Sequence, residues 1–416
     1  MRVLVVPMMT MAESAGPASR ARALASAMAS IGWETTLCVP EGFTGMVPTG
    51  VSAQPILTPS PLGMPRIIGR KMFPLAQRLG LNRRVRITCF DDVLRLTGNT
   101  DKRYFARAVE QLRKIIQNGR FDAVYSEFNI ASIIAAKAEG VPIFGSTSFP
   151  TQPSFASDSS SAVGLNRVLR SLSMDPVRSP EDIPLMPNVC FVPSCPELEP
   201  FPAESPVVFT GSFIDLPASI RDAPRDAVVA YFGNGAVTPR RGFAVLAEAL
   251  RGSGLDLYVA GLPESHAAHL HTAPRFDFSE LLHHAAIFVN HGGQNSMIDG
   301  IAYGSPQLIC PGKVFERRFN AKAAERCGIG LSLEQSCFDV PTVRRTLEQL
   351  LEDAAGYHAS AASLKNRLSE LGGANRIVDT IARQAYGCPP NSTPPRAPRL
   401  YRLPDRKLRV SRCLSS

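Results

Sequence analysis

The chain has 416 residues, 44% of them apolar and 19% charged, with a net charge of +9. That length exceeds a single hydrophobic core, so two domains of about 200 residues are expected. No run reaches about 18 uninterrupted apolar residues, which argues against a membrane-crossing helix, and the basic stretches lack interleaved aromatics and any recognisable module, which argues against nucleic acid.

The opening segment, 1–21, mimics a secretory leader, but its apolar run is only strand-long and holds a proline, so residues 2–7 are predicted to be a buried strand. An Ala-rich helix over 18–32 follows Pro17 and stops at Gly32. A second strand covers 34–40, and a Pro- and Gly-rich stretch runs on to about 65. Residues 66–86 carry Arg66, Arg70, Lys71, Arg78, Arg83, Arg84 and Arg86 with no acid between them. They form either a solvated helix face or a basic amphipathic segment with weak affinity for a membrane surface. A helix over 101–119, a strand over 121–127, a helix over 131–140 and a strand over 141–149 give a parallel doubly wound pattern. Residues 150–186 are Ser- and Pro-rich around one helix at 164–172. Segment 189–213 has five prolines and two short strands, and is expected to carry the chain between domains.

A second alternation then begins. Strands are predicted at 227–235, 255–261, 286–290 and 307–310. Helices are predicted at 241–254, 278–285, 295–304, 317–328, 341–352 and 357–386. The domains expected are 1–190, a crossing at 191–225, 226–386, and a basic tail at 387–416 with seven basic residues against one acidic. The tail reads as disordered, and is a second candidate for weak membrane contact. The nine cysteines are odd in number and scattered, as expected for buried thiols in a reducing cytosol. His266, His269 and His271 do not stand at metal-ligand spacing and read as a surface loop, so no metal site is expected.

The chemistry concentrates in 285–311. A buried strand ends at His291-Gly292-Gly293, and a helix starts just beyond. Glycines let backbone amides approach a ligand, and a helix N-terminus offers unpaired N–H groups and a partial positive charge. His291, Asn295 and Ser296 add side-chain donors, so the stretch suits a diphosphate held without a metal. Asp299, one turn beyond Asn295, is suited to sugar hydroxyls.

His291-Gly-Gly-Gln-Asn-Ser296, followed by Asp299, Gly304, Pro306, Pro311, Glu316 and Asn320-Ala321, resembles the donor-binding signature of the UDP-glycosyltransferase superfamily. The lipid-linked peptidoglycan N-acetylglucosaminyltransferases are a second relative. The resemblance implies an α/β GT-B fold, two Rossmann-like doubly wound domains facing a central cleft, with acceptor on the first and nucleotide-sugar on the second. It implies inverting, metal-independent transfer to an acceptor hydroxyl, small-molecule or lipid-linked, with no cofactor, in the cytoplasm or peripheral to a membrane. By position, His291, Gly292, Gly293, Asn295, Ser296 and Asn234 would bind diphosphate, Asp299 the ribose, and Glu316 and Arg317 the donor sugar. Phe278 would lie near the base. Relatives carry a catalytic His after the first strand. This chain has none there, so Glu13, Ser14 or Glu127 is left to deprotonate the acceptor. Two other functions fit the same architecture: an inactive accessory protein, for which the missing His speaks, and a sugar-nucleotide epimerase.

Overall fold

The computed structural model describes residues 1–10, 15–64, 85–153, 161–213, 216–217 and 223–385. Glu13, Ser14, nearly all of the basic segment 66–86 and the tail 387–416 lie outside the described residues.

Two seven-stranded sheets organise the chain. The first contains β1 (Arg2–Pro7), β2 (Glu34–Pro40), β3 (Val51–Ile56), β4 (Ala123–Glu127), β5 (Ile143–Ser146), β6 (Val189–Val192) and β7 (Val207–Phe209) in the order β3-β2-β1-β4-β5-β6-β7. All neighbours are parallel. Helices α1 (Ala15–Ser30), α2 (Phe90–Thr97), α3 (Lys102–Gly119), α4 (Ile130–Ala138) and α5 (Ala162–Ser171) accompany it. The leader-like opening is the strand β1, buried along its whole length after Arg2, because a parallel strand covered on both faces is apolar throughout. Helix α3 shows the other pattern. Phe105, Ala108, Val109, Leu112 and Ile116 form its buried stripe, and Asp101 caps its first turn by accepting from Arg103 N and Tyr104 N.

The second sheet contains β8 (Ala227–Tyr231), β9 (Asp256–Ala260), β10 (Ser265–Ala267), β11 (Leu270–Ala273), β12 (Ala285–Asn290), β13 (Gln307–Ile309) and β14 (Gly330–Ser332) in the order β10-β11-β9-β8-β12-β13-β14. Its helices are α6 (Pro239–Ala249), α7 (Phe278–Leu281), α8 (Gln294–Ala302), α9 (Phe315–Arg326), α10 (Val340–Glu352) and α11 (Ala354–Glu370), and α12 (Gly373–Ala385) follows them in the chain. In each sheet the winding reverses once at the centre, between β1 and β4 and between β8 and β12. Ligands of doubly wound sheets bind beyond the carboxyl ends of the strands at such reversals.

Four expectations need correction. The segment 189–213 is not wholly a crossing, since its two expected short strands, β6 and β7, complete the first sheet. The stretch after residue 40 holds β3, an edge strand that tolerates Pro55. His266 and His271 are register partners in the antiparallel hairpin β10–β11 rather than loop residues. The expected last helix, 357–386, is two, α11 and α12, divided at Gly372 with φ 87°. Helix α12 leaves the second lobe: Ile377, Val378 and Ile381 join Val3, Val5, Leu24 and Met28 in a first-lobe core. Fully burying an isoleucine is worth roughly 1.5–3 kcal/mol, so this return fastens the lobes together.

Candidate donor-binding site between the lobes

The site is built where β8 and β12 end side by side, Tyr231 being the register partner of Asn290. Asn290 is fully buried. Its Oδ1 accepts from Gly292 N at 2.8 Å, and its Nδ2 donates to Gln307 Oε1 at 2.9 Å. Gln307 in turn donates to the Met297 carbonyl at 3.0 Å, and Asn320 Nδ2 donates to the Gly292 carbonyl at 2.9 Å. Both polar groups of the Gly292 backbone are therefore fixed by side chains. Gly292 has φ 80°, and a Cβ there would come within 3.0 Å of the Arg317 carbonyl, so glycine is required by conformation and by space.

Gly293 precedes α8 in an extended conformation and gives no side-chain cap. The first amides of α8 therefore have neither an intrahelical acceptor nor a capping oxygen. The side chains of Asn295, Ser296 and Asp299 make no hydrogen bond among the described residues, and the buried His291 Nδ1 has no partner. Burial first, then the neighbouring Arg317 guanidinium, pushes the His291 imidazole down to about 4, so it is neutral at physiological pH. Burial pushes the Asp299 carboxyl up to about 6.

Aromatic rings line the rim. Tyr231 meets His291 edge-on at 5.5 Å and Phe278, the first residue of α7, at 5.4 Å. The loop after β8 closes the other side. A Cβ on Gly235 would fall 2.8 Å from His291 Cβ, so loop and imidazole are in contact. Arg317 Nη2 donates to Asn234 Oδ1 at 2.5 Å, and its Nη1 lies 3.5 Å from the Asn234 carbonyl. Arg317, expected at the donor sugar, ties the two loops together. Glu316 lies within electrostatic reach of Arg20, Arg317 and Glu199.

The first lobe meets this site through a polar chain. Arg20 of α1 donates through Nε to Glu127 Oε1 at 2.6 Å and through Nη1 to Gln294 Oε1 at 3.1 Å. Glu127, the register partner of Pro7 at the end of β4, also accepts from Ser146 Oγ at 2.5 Å. Gln294 Nε2 donates to the Pro193 carbonyl at 3.2 Å and to Glu199 Oε1 at 3.3 Å. Glu127, a candidate base, is fully buried with both oxygens engaged, and it holds Arg20. Glu13 and Ser14, the other candidates, lie outside the described residues.

The structure thus gathers His291, Gly292, Gly293, Asn234, Arg317 and Phe278 around one pair of strand ends, with Asn295, Ser296 and Asp299 on the first turns of α8. Sequence reasoning passed over Asn290, Gln307, Tyr231, Arg20 and Glu199, and Gln294 stood in the motif without a role. The only local signal for Arg20 was a charge inside an Ala-rich helix.

Comparison with known structures identifies the architecture. The calicheamicin glycosyltransferase CalG4 aligns with a TM-score of 0.70 at 16% identity, covering 93% of this chain and 98% of that one. Spinosyn rhamnosyltransferase SpnG, solved with thymidine diphosphate, aligns with a TM-score of 0.65 at 16% identity over 92% of this chain and all of that one. The fold is therefore the GT-B fold of these glycosyltransferase structures. Residues 262–380 match the family described as Erythromycin biosynthesis protein CIII-like, C-terminal domain. NDP-glycosyltransferase YjiC of Bacillus licheniformis is 26% identical over 120 residues, and the match spans 29% of this chain and 29% of that protein.

Proposed function

We propose that the protein transfers a sugar from a nucleoside diphosphate donor to a hydroxyl of a small-molecule acceptor, with inversion at the anomeric carbon. One observation carries this reading: the uncapped N-terminus of α8, with His291, Asn295 and Ser296 beside it, opens on the seam between lobes. A diphosphate placed there meets orphan amides and the positive end of a helix dipole. Asp299 supplies acceptor oxygens for ribose hydroxyls, and Tyr231 and Phe278 offer ring faces to the base. SpnG was solved with thymidine diphosphate and with spinosyn aglycone, which supports a nucleoside diphosphate donor and a small-molecule acceptor here. Helix amides and neutral polar side chains provide the donor grip, with no metal ion assigned a part. The seven cysteines within the described residues are unpaired, which supports a reducing, cytosolic setting. No helix among the described residues is long and apolar enough to cross a membrane.

Calorimetric titration with uridine and thymidine diphosphates tests the reading. Binding by the wild type, weakened about tenfold or more in Asn295→Ala and His291→Ala, supports it, since a hydrogen bond to a charged group is worth roughly 1.5–3 kcal/mol. Failure of every nucleoside diphosphate to bind sinks it. The sequestered Glu127 keeps a second reading in view, a binding protein without turnover. Release of diphosphate from a sugar nucleotide in the presence of acceptor rules that out.

A further inference from the structure

The first lobe sends a cation into the seam beside the phosphate cradle. Arg20 is only 8% exposed, and its Nη1 reaches the side chain of Gln294, the first residue of α8. We propose that Arg20 contacts the β-phosphoryl group of the donor and offsets the charge that develops there as the diphosphate leaves. The inference rests on the donor reading above.

Three observations support it. The guanidinium is preorganised: Glu127 holds Nε, and Ser146 holds Glu127 from behind. The Gln294 amide cannot turn freely, because its Nε2 is taken by Pro193 and Glu199. Its Oε1 therefore stays toward Arg20 and fixes the plane of the guanidinium. The third observation is energetic. Burying an ion pair such as Arg20–Glu127 costs several kcal/mol in desolvation, and apolar residues of similar volume in its place are often as stable or more so. Arg20 and Glu127 both belong to the first lobe, so their pair does not join the lobes, and a neutral donor would serve as well for the contact with Gln294. A fixed dipole or cation aimed at a developing anion in a water-poor site is, in contrast, among the strongest catalytic devices available.

In the transfer step the acceptor oxygen forms the new bond to the anomeric carbon and gives its proton to a base or to solvent. The bond from that carbon to the β-phosphoryl oxygen breaks, and its electron pair stays on that oxygen. The diphosphate gains one negative charge, and Arg20 N–H groups donate to it. Arginine has five such donors in a planar fork, of which Glu127 and Gln294 engage two nitrogens.

The test compares calorimetric affinities for uridine mono- and diphosphate, and for thymidine mono- and diphosphate. The proteins are the wild type, Arg20→Lys, Arg20→Gln and Arg20→Gln/Glu127→Gln, the last removing both charges so that no buried carboxylate is stranded. Unfolding temperatures are measured in parallel. The expected result is that monophosphate affinity is kept while the advantage of diphosphate over monophosphate falls about 10- to 100-fold in both glutamine variants and less in Arg20→Lys. An unchanged diphosphate advantage overturns the proposal and leaves Arg20 as a fastener between lobes, with the donor reading intact. A wild type that binds neither nucleotide series overturns both. A purely structural role lowers unfolding temperature and weakens both nucleotides alike, and that result also counts against the proposal.

Discussion

Ile87 and Val314 form an isolated parallel bridge between the lobes. Ile87 N–H donates to the Lys313 carbonyl at 3.1 Å, and the Ile87 carbonyl accepts from Phe315 N–H at 2.9 Å. The bridge lies immediately before Glu316 and Arg317 at the start of α9, so a first-lobe segment sets the position of residues assigned to the donor. Ile87→Pro deletes one of the two bonds by removing the donor. Each such bond is worth roughly 0.5–1.5 kcal/mol. The variant is expected to lose about 1–2 kcal/mol of stability in urea. Hydrogen exchange at Phe315 should speed up, because its acceptor is no longer held in register. Unaltered exchange at Phe315 would show that the bridge does not couple the lobes.

Gly292 and Gly235 pack against the site from opposite sides. Gly292→Ala places a methyl group 3.0 Å from the Arg317 carbonyl and 3.0 Å from Ile309 Cγ2 in β13, at φ 80°. Strain of this type costs about 1–3 kcal/mol. Gly235→Ala meets the Phe232 carbonyl at 2.7 Å and His291 Cβ at 2.8 Å, so the imidazole or the loop must shift. Both variants are expected to weaken uridine diphosphate at least tenfold by calorimetry, and Gly292→Ala should also unfold earlier. Wild-type affinity in Gly235→Ala would show that contact with the loop does not position His291.

The parts of this molecule that could be read from the chain are those encoded locally. β1, β8 and β12 are short apolar runs between turn signals, and burial on both faces requires that pattern. The proposed phosphate cradle could be read as one unit because a strand end, a glycine turn and a helix start are contiguous from Asn290 to Ser296. β3 and the hairpin β10–β11 were not, because Gln54, Pro55, His266 and His271 break the apolar alternation by which strands are recognised. The polar chain through the seam was invisible for a different reason. Arg20 and Gln294 lie 274 positions apart, and only the docking of the two lobes joins them. Glu127 looked like a base because it ends a strand at the right place; its partners Arg20 and Ser146 come from elsewhere in the fold.

Asp299 gives a pH-dependent prediction. Its carboxyl is raised from 3.8 to about 6 by burial, so the folded protein keeps a proton that the unfolded chain has released between those values. Stability contributed by this proton is present below about pH 4 and is lost as pH rises through about 6. Asp299→Asn should therefore match the wild type near pH 4 and exceed it above pH 6.5, by about 1–2 kcal/mol after allowance for partial exposure. The nucleotide-free protein in urea at a series of pH values is the measurement. A variant that is less stable than wild type at neutral pH would mean that Asp299 has a favourable partner in the apo protein.

Glu199 is the more buried case, only 4% exposed. It accepts from Phe149 N at 2.6 Å and Ser148 Oγ at 2.9 Å, and meets Gln294 Nε2 at 3.3 Å. Those donors favour the anion, but burial outweighs them, and its carboxyl is pushed up from 4.5 to about 7. As for Asp299, stability is lost as pH rises from about 4.5 through 7, with an upper bound of about 3 kcal/mol. Glu199→Gln imitates the protonated acid and keeps a carbonyl oxygen for Phe149 and Ser148. It should equal the wild type at pH 5 and be more stable at pH 8. Glu199→Ala strips the acceptor from two groups in the seam, and an unsatisfied buried donor costs about 1–3 kcal/mol, so it should be destabilised at both pH values. Urea unfolding of the three proteins at pH 5 and pH 8 separates these outcomes. If Glu199→Gln is destabilised at pH 8 as much as Glu199→Ala, the carboxylate is ionised in the folded protein and its charge holds the seam.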